Sequence, residues 1–312
     1  MVVPLCVLAF ALSLRCVPNL TPDGARPGQG GAGAPLDWRG LALAGLGTLA
    51  LLHGMVGLHG GQTAQAALLI GAAVVLWAGF LLWQQRQRQR GGTPLLNLAV
   101  FQHRTFALGC VVAFIYGAAL FGSTYLLPVY MMLGLGLSPT HVGTVLLPAG
   151  LVLAAVIPIG GRQADRRPPG QLIMLGLLLL GLSFAMMPML GLGSGVVALG
   201  ALTLLGRIGL GFILPALNLG AMRALDKPQI PQGASVINFV RMLGGAIGVS
   251  LCGILLEWRA LARGQSLTAP THTLDRLRAF DDVFLVLAAL CVCAMLAVSY
   301  THLRAHETPE HL

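Results

Sequence analysis

The chain has 312 residues, 56% of them hydrophobic and only 9% charged, with a mean hydropathy of +0.82. A soluble domain carries about a quarter charged residues, because a water-facing surface needs ionic groups; too few are present to coat a globule of this size, so the solvent is expected to be largely lipid and soluble-enzyme readings start well behind. The net charge of +9 could suit nucleic acid, but the Lys and Arg lie almost entirely in short segments between apolar runs and aromatic residues are sparse, so no nucleic-acid partner is expected.

Residues 1–14 are apolar but too few to span a bilayer, reaching about 21 Å as a helix. They have no basic leader and no clear cleavage site before Arg15, so they read as the remnant of a longer, truncated span. Segment 15–39, with Pro18, Pro22, Pro27 and Pro35 among many glycines, reads as a cytoplasmic linker. Two apolar runs, 40–60 and 63–83, then form a transmembrane hairpin over 40–84. The run Gln84-Gln85-Arg86-Gln87-Arg88-Gln89-Arg90 follows. It reads as a solvated helix end beside anionic headgroups, opening a cytoplasmic loop over 85–105.

Six further apolar runs cover 106–127, 139–160, 172–192, 195–217, 233–256 and 280–298. Each is near the ~20 residues that carry a helix across the hydrocarbon core. Membrane strands would need about ten residues in strict alternation, which is missing. The chain is therefore an all-α integral membrane protein.

Orientation follows from the connections. One alternate set carries Arg15, Arg26, Arg39, Arg86, Arg88, Arg90, Arg104, Arg162, Arg166, Arg167, Arg223 and Lys227, while the other has only Arg259, Arg263, Arg276 and Arg278, all in one segment. The first set is placed in the cytoplasm and the protein in the plasma membrane.

Two arginines interrupt the apolar spans. A charge at bilayer depth costs at least about 2.5 kcal/mol, so it is expected to face a bundle interior or a cavity. Arg207 sits mid-span and is the first candidate for a substrate pathway. Arg241 lies about eight residues into its run, where its stem could also snorkel, and Asn238 is one turn away and can share its polar patch. Gly206, Gly209 and Gly211, and Gly244, Gly245 and Gly248, allow close helix approach. Pro128, Pro148, Pro158 and Pro215 can kink their helices. The six cysteines have no metal or redox spacing and read as small hydrophobes. His53, His59 and His141 are isolated and read as structural or interfacial. No catalytic grouping, metal site or cofactor motif is found, which sets aside a membrane-embedded transferase. A channel would need rings of polar residues along a pore, also missing.

The segment Gly161-Arg162-Gln163-Ala164-Asp165-Arg166-Arg167 resembles the cytoplasmic signature loop of the major facilitator superfamily. In that reading Gly161 lets the backbone leave one helix, Asp165 pairs across helix ends, and Arg166 and Arg167 fix orientation. Asp37-Trp38-Arg39-Gly40, Leu127-Pro128-Val129-Tyr130, the stretch from Gly143 to Pro148, Gly206-Arg207-Ile208-Gly209-Leu210-Gly211 with Pro215, and the segment from Asn238 to Gly248 follow in order. Together they resemble the fourteen-span drug:proton antiporters of that superfamily.

The resemblance implies that 1–14 ends span six, 40–83 is the extra central hairpin and 106–297 is the C-terminal six-helix bundle. It implies an efflux transporter for small amphipathic or cationic compounds, exchanged for protons, with Tyr130 near the substrate. Met132 stands where the family often has a glutamine. No acidic residue lies in the middle of any span, so the coupling carboxylates would belong to an N-terminal bundle outside this chain, and this chain by itself is expected to be inactive. Lastly, Val298 to Thr308 resembles a translated sequencing adaptor, and Val283 to Ala297 is short of a bilayer as a helix. Residues 298–312 are therefore expected to be a non-native tail.

Overall fold

A computed structural model describes residues 6–7, 10–13, 15, 37–59, 63–90, 96, 98–191, 193–223, 225–267 and 273–306. The linker expected over 15–39 therefore lies mostly outside the described residues. Eight long helices follow: α1 (Trp38–His59), α2 (Thr63–Gln89), α3 (Arg104–Val129), α4 (Pro139–Arg166), α5 (Pro169–Met186), α6 (Val196–Met222), α7 (Ile230–Ala262) and α8 (Leu274–His306). All eight are long and apolar enough to cross a membrane, and no strand occurs among the described residues.

Local chemistry sets several helix ends. Ser138 caps α4, accepting from the His141 N–H, while Pro139 opens the first turn with a φ already suited to helix. The His141 Nδ1 also lies 2.9 Å from the Ser138 hydroxyl. Pro169 starts α5 in the same way. After Pro128 the backbone of α3 widens into a π-turn over Tyr130–Gly134, and the Leu135 N–H reaches back to the Tyr130 carbonyl. Gly136 and Gly264 take positive φ, at 69° and 64°, where the chain turns between helices.

Between apolar helices in lipid, association comes from close packing rather than from the hydrophobic effect. Helix α3 is the most enclosed, and its largest contact is with α7. A β-carbon at Gly248 would lie 2.5 Å from the Cα of Ala118, one at Gly244 would overlap the Phe114 backbone, and one at Gly245 would overlap the Phe121 ring. Helix α6 approaches α5 through Gly206 and Gly209, and α4 through Gly211, which lies against Val156. The hairpin helices α1 and α2 pack chiefly on each other; α1 also touches α7, and Trp77 of α2 meets Phe239 at 5.7 Å between rings.

Two sequence expectations change. The signature segment is not a loop, because α4 continues through it to Arg166 and only Arg167 and Pro168 separate α4 from α5. The adjacent glycines serve packing instead: a β-carbon at Gly160 would lie 2.8 Å from the Gly211 carbonyl, and Gly161 faces Pro215. The last span is not short either. Helix α8 begins at Leu274, so its apolar stretch runs Leu274–Ser299, 26 residues. The backbone stays helical through 306, across the boundary expected at 298; residues 307–312 of the adaptor-like tail lie outside the described residues.

The early start of α8 was hidden by charges that the fold neutralises. Arg263 pairs with Asp282 at 2.6 Å, Arg259 with the same carboxylate at 3.4 Å, and Arg278 with Asp275 at 3.1 Å. Arg276 is buried at 1% exposure, donating to the Leu133 carbonyl at 3.2 Å and the Ser266 carbonyl at 2.8 Å. It ties the connection after α7 to the end of the π-turn. The basic segment that runs against the orientation rule is thus largely consumed by local partners.

Candidate functional site

Arg207 projects from the middle of α6 into the bundle and is 8% exposed. Its Nη1 donates to the Thr124 hydroxyl of α3 at 3.4 Å. Four nearby hydroxyls spend their protons on backbone carbonyls: Ser123 and Thr124 on Leu120, Ser183 on Leu202, and Thr203 on Leu199. Their oxygens are left as acceptors, and the one that meets the cation is that of Thr124, a neutral oxygen rather than a carboxylate. A void of about 10 Å³ lined by Ser123, Ser183, Thr203 and Arg207 gives room for about one water. Among the described residues Arg207 forms no ion pair.

Arg241, on α7, donates through Nη2 to the Asn238 carbonyl oxygen one turn earlier. These two line an open pocket of about 470 Å³ with Asn218, Met222, Ala234 and Ser235, between α6 and α7. Tyr116 of α3 is 1% exposed and lies within electrostatic reach of both Arg207 and Arg241. Arg207 and Arg241 thus both act electrostatically on one buried tyrosine, and Asn238 is bonded to Arg241. Sequence reading passed over Tyr116, whose only signal was a lone phenol in an apolar run.

Tyr130 lies in the π-turn after α3, fourteen residues beyond Tyr116 and six beyond Thr124, and its hydroxyl has no hydrogen-bond partner among the described residues. Fully buried, it packs edge-on against Phe280 at 5.5 Å and Phe284 at 5.3 Å. Of the signature residues, Asp165, Arg166 and Arg167 are exposed at the end of α4, and none forms an ion pair among the described residues.

A second polar centre lies at the base of the hairpin. Asp37 caps α1, accepting from the Gly40 N–H, while the Trp83 indole and the Gln84 amide donate to the same carboxylate, all at 2.9 Å. Gln84 accepts in turn from the Leu96 N–H, and the Arg39 guanidinium sits 5.2 Å over the Trp83 ring. A β-carbon at Gly40 would overlap Asp37 and Gln84, which explains the glycine in Asp37-Trp38-Arg39-Gly40. Gln84 is buried at 1% exposure, so the Gln/Arg run becomes a solvated helix end only after it.

Burial of Asp37 opposes its charge, but the three donors and the nearby Arg39 outweigh that and hold the carboxyl below its ordinary range. A folded-state value below the unfolded one means the charged network stabilises above about pH 4 and is lost as pH falls through the folded value. Asp37→Ala leaves three donors without an acceptor and should cost about 2–4 kcal/mol of hairpin attachment. Asp37→Asn should cost less and remove this site's share of the acid sensitivity. Thermal unfolding of the parent and both variants at pH 7 and pH 3 measures this; an identical pH response in the parent and Asp37→Asn would refute it.

The sequence profile of the Major Facilitator Superfamily matches residues 5–249. A multidrug resistance protein B homolog of Mycobacterium tuberculosis is 30% identical over 177 residues, 53% of this chain and 31% of that protein. A lincomycin resistance protein of Listeria innocua is 24% identical over 192 residues, 62% of this chain and 40% of that protein. A probable actinorhodin transporter of Streptomyces coelicolor is 27% identical over 242 residues, 76% of this chain and 41% of that protein. The chain spans about a third to two fifths of the length of these relatives.

Proposed function

The chain belongs to the major facilitator superfamily, and from that premise we propose that it is the C-terminal part of a drug or metabolite exporter working by alternating access. It is a multi-pass plasma-membrane transporter chain, not an enzyme. The observation that carries the efflux reading is the arginine–asparagine pocket between α6 and α7, set on a bundle whose relatives are named for drug resistance. In this reading residues 106–297 form one six-helix half, 40–84 the central hairpin, and 1–14 the end of the preceding span. The opposing bundle would rock against α4, α6 and α7, with the substrate held between the halves.

Among the described residues, Asp281 and Asp282 are the only carboxylates within the apolar runs 106–127 to 280–298, both in the first turns of α8 on the side of Arg263. The carboxylates that bind the exchanged proton are accordingly assigned to the opposing bundle, and this chain by itself should not transport. The test is accumulation of Nile red in cells expressing either this chain or the gene with its upstream in-frame sequence. The longer product should lower accumulation and the chain alone should not. Equal efflux from the two would overturn the division of labour, and no efflux from either would overturn the transporter reading.

A further inference from the structure

The charge that this half of the transporter accepts can be read from its pocket, given the efflux reading above. Arg207 and Arg241 are both carried on spans, both lie within electrostatic reach of Tyr116, and neither forms an ion pair among the described residues. The acidic side chains of the described bundle lie elsewhere: Asp165 and Asp226 at helix ends, and Glu257, Asp275, Asp281 and Asp282 toward the far ends of α7 and α8. None lines the pocket.

The pocket's hydrogen-bonding capacity is also one-sided. Arg241 spends one of its five N–H groups on Asn238. That bond fixes the Asn238 carbonyl oxygen toward Arg241 and leaves its NH₂ group as a donor. Asn218 contributes a second amide, while the Ser235 proton goes to the Pro231 carbonyl at 3.1 Å. Donors therefore outnumber acceptors around a fixed positive charge. A cationic substrate would meet repulsion here and leave those donors unmatched.

We propose that Arg241, Asn238 and Asn218 form an anion-recognition site, with Arg207 adding positive field, and that it takes the acidic group of an amphipathic substrate such as a carboxylate, phenolate or sulfonate. The apolar part of that substrate would lie along Met222 and Ala234, which complete the pocket wall. This narrows the substrate class to anionic amphiphiles and excludes cationic ones.

The test is binding by the purified chain in phosphatidylcholine nanodiscs, read by fluorescence with 1-anilinonaphthalene-8-sulfonate as the anionic probe and rhodamine 6G as the cationic one. The sulfonate should bind saturably, and Arg241→Gln should weaken it about tenfold or more, the size expected for loss of a charge-assisted hydrogen bond. Arg241→Lys should recover part of the affinity, and rhodamine binding should not respond to either change. If Arg241→Gln fails to fold, judged by its thermal transition, the Asn218→Ala/Asn238→Ala double variant takes its place, with a loss of similar direction.

Three results would overturn the proposal: sulfonate binding indifferent to these variants, rhodamine binding lost with them in parallel, or displacement of the sulfonate by a minor fraction of phosphatidylglycerol. The last would assign the site to a lipid headgroup. Because binding is read without transport, failure of Nile red efflux would remove the exporter reading alone, and failure of sulfonate binding by a folded chain would remove the anion site alone.

Discussion

Gly244→Leu and Gly248→Leu should each prevent the bundle from assembling, at a cost above about 3 kcal/mol, whereas Gly71→Leu should be tolerated. At 244 and 248 the added side chain meets the backbone of α3 at Phe114 and Ala118, not the movable tip of a side chain. Relief would require α3 and α7 to separate along their largest contact, with loss of the dispersion contacts that hold helices together in lipid. At Gly71, on α2, a β-carbon would have nothing within 4 Å, so the same substitution there adds only apolar surface and helix propensity. Monodispersity after detergent extraction and the thermal transition measure the contrast. If all three variants behave alike, close backbone approach is not what holds α3 to α7.

Arg207→Met should separate stability from function. The arginine is 8% exposed and is met by the neutral Thr124 oxygen, so its burial penalty is only partly repaid. A methionine of similar length removes that penalty, as replacing buried ion pairs by apolar side chains also does. The variant should therefore unfold at the same temperature as the parent or above it. Efflux by the intact transporter should fall at least about tenfold, because the bundle loses one of its two intramembrane cations. A large drop in stability would instead make Arg207 a structural anchor, and unchanged efflux would remove it from the transport path.

Hydropathy along the chain determined the membrane, the number of spans and their helical form, because in lipid each backbone polar group must be satisfied within its own segment. It also placed Arg207 inside the bundle, since a lipid-facing guanidinium is too costly at that depth. The ordered motifs carried the superfamily, which the profile match over 5–249 bears out.

Partners remote in sequence were another matter. Arg207 meets Thr124 across 83 positions, Asp37 meets Gln84 across 47, and Arg276 meets Leu133 across 143. Hydropathy could not supply these pairings, because it weighs each residue alone while a buried polar group is settled by which neighbour satisfies it. For the same reason Gln84 looked like part of a solvated run and the start of α8 was obscured by charges whose partners were unseen. Nor could hydropathy show that Tyr130, which the resemblance sets near the substrate, packs against Phe280 and Phe284. Sequence alone thus determined an eight-span membrane chain of this superfamily. Only the tertiary structure decided that Arg207 meets Thr124 and that Arg241 and Asn238 share a pocket with Asn218, because helix packing alone sets which faces meet.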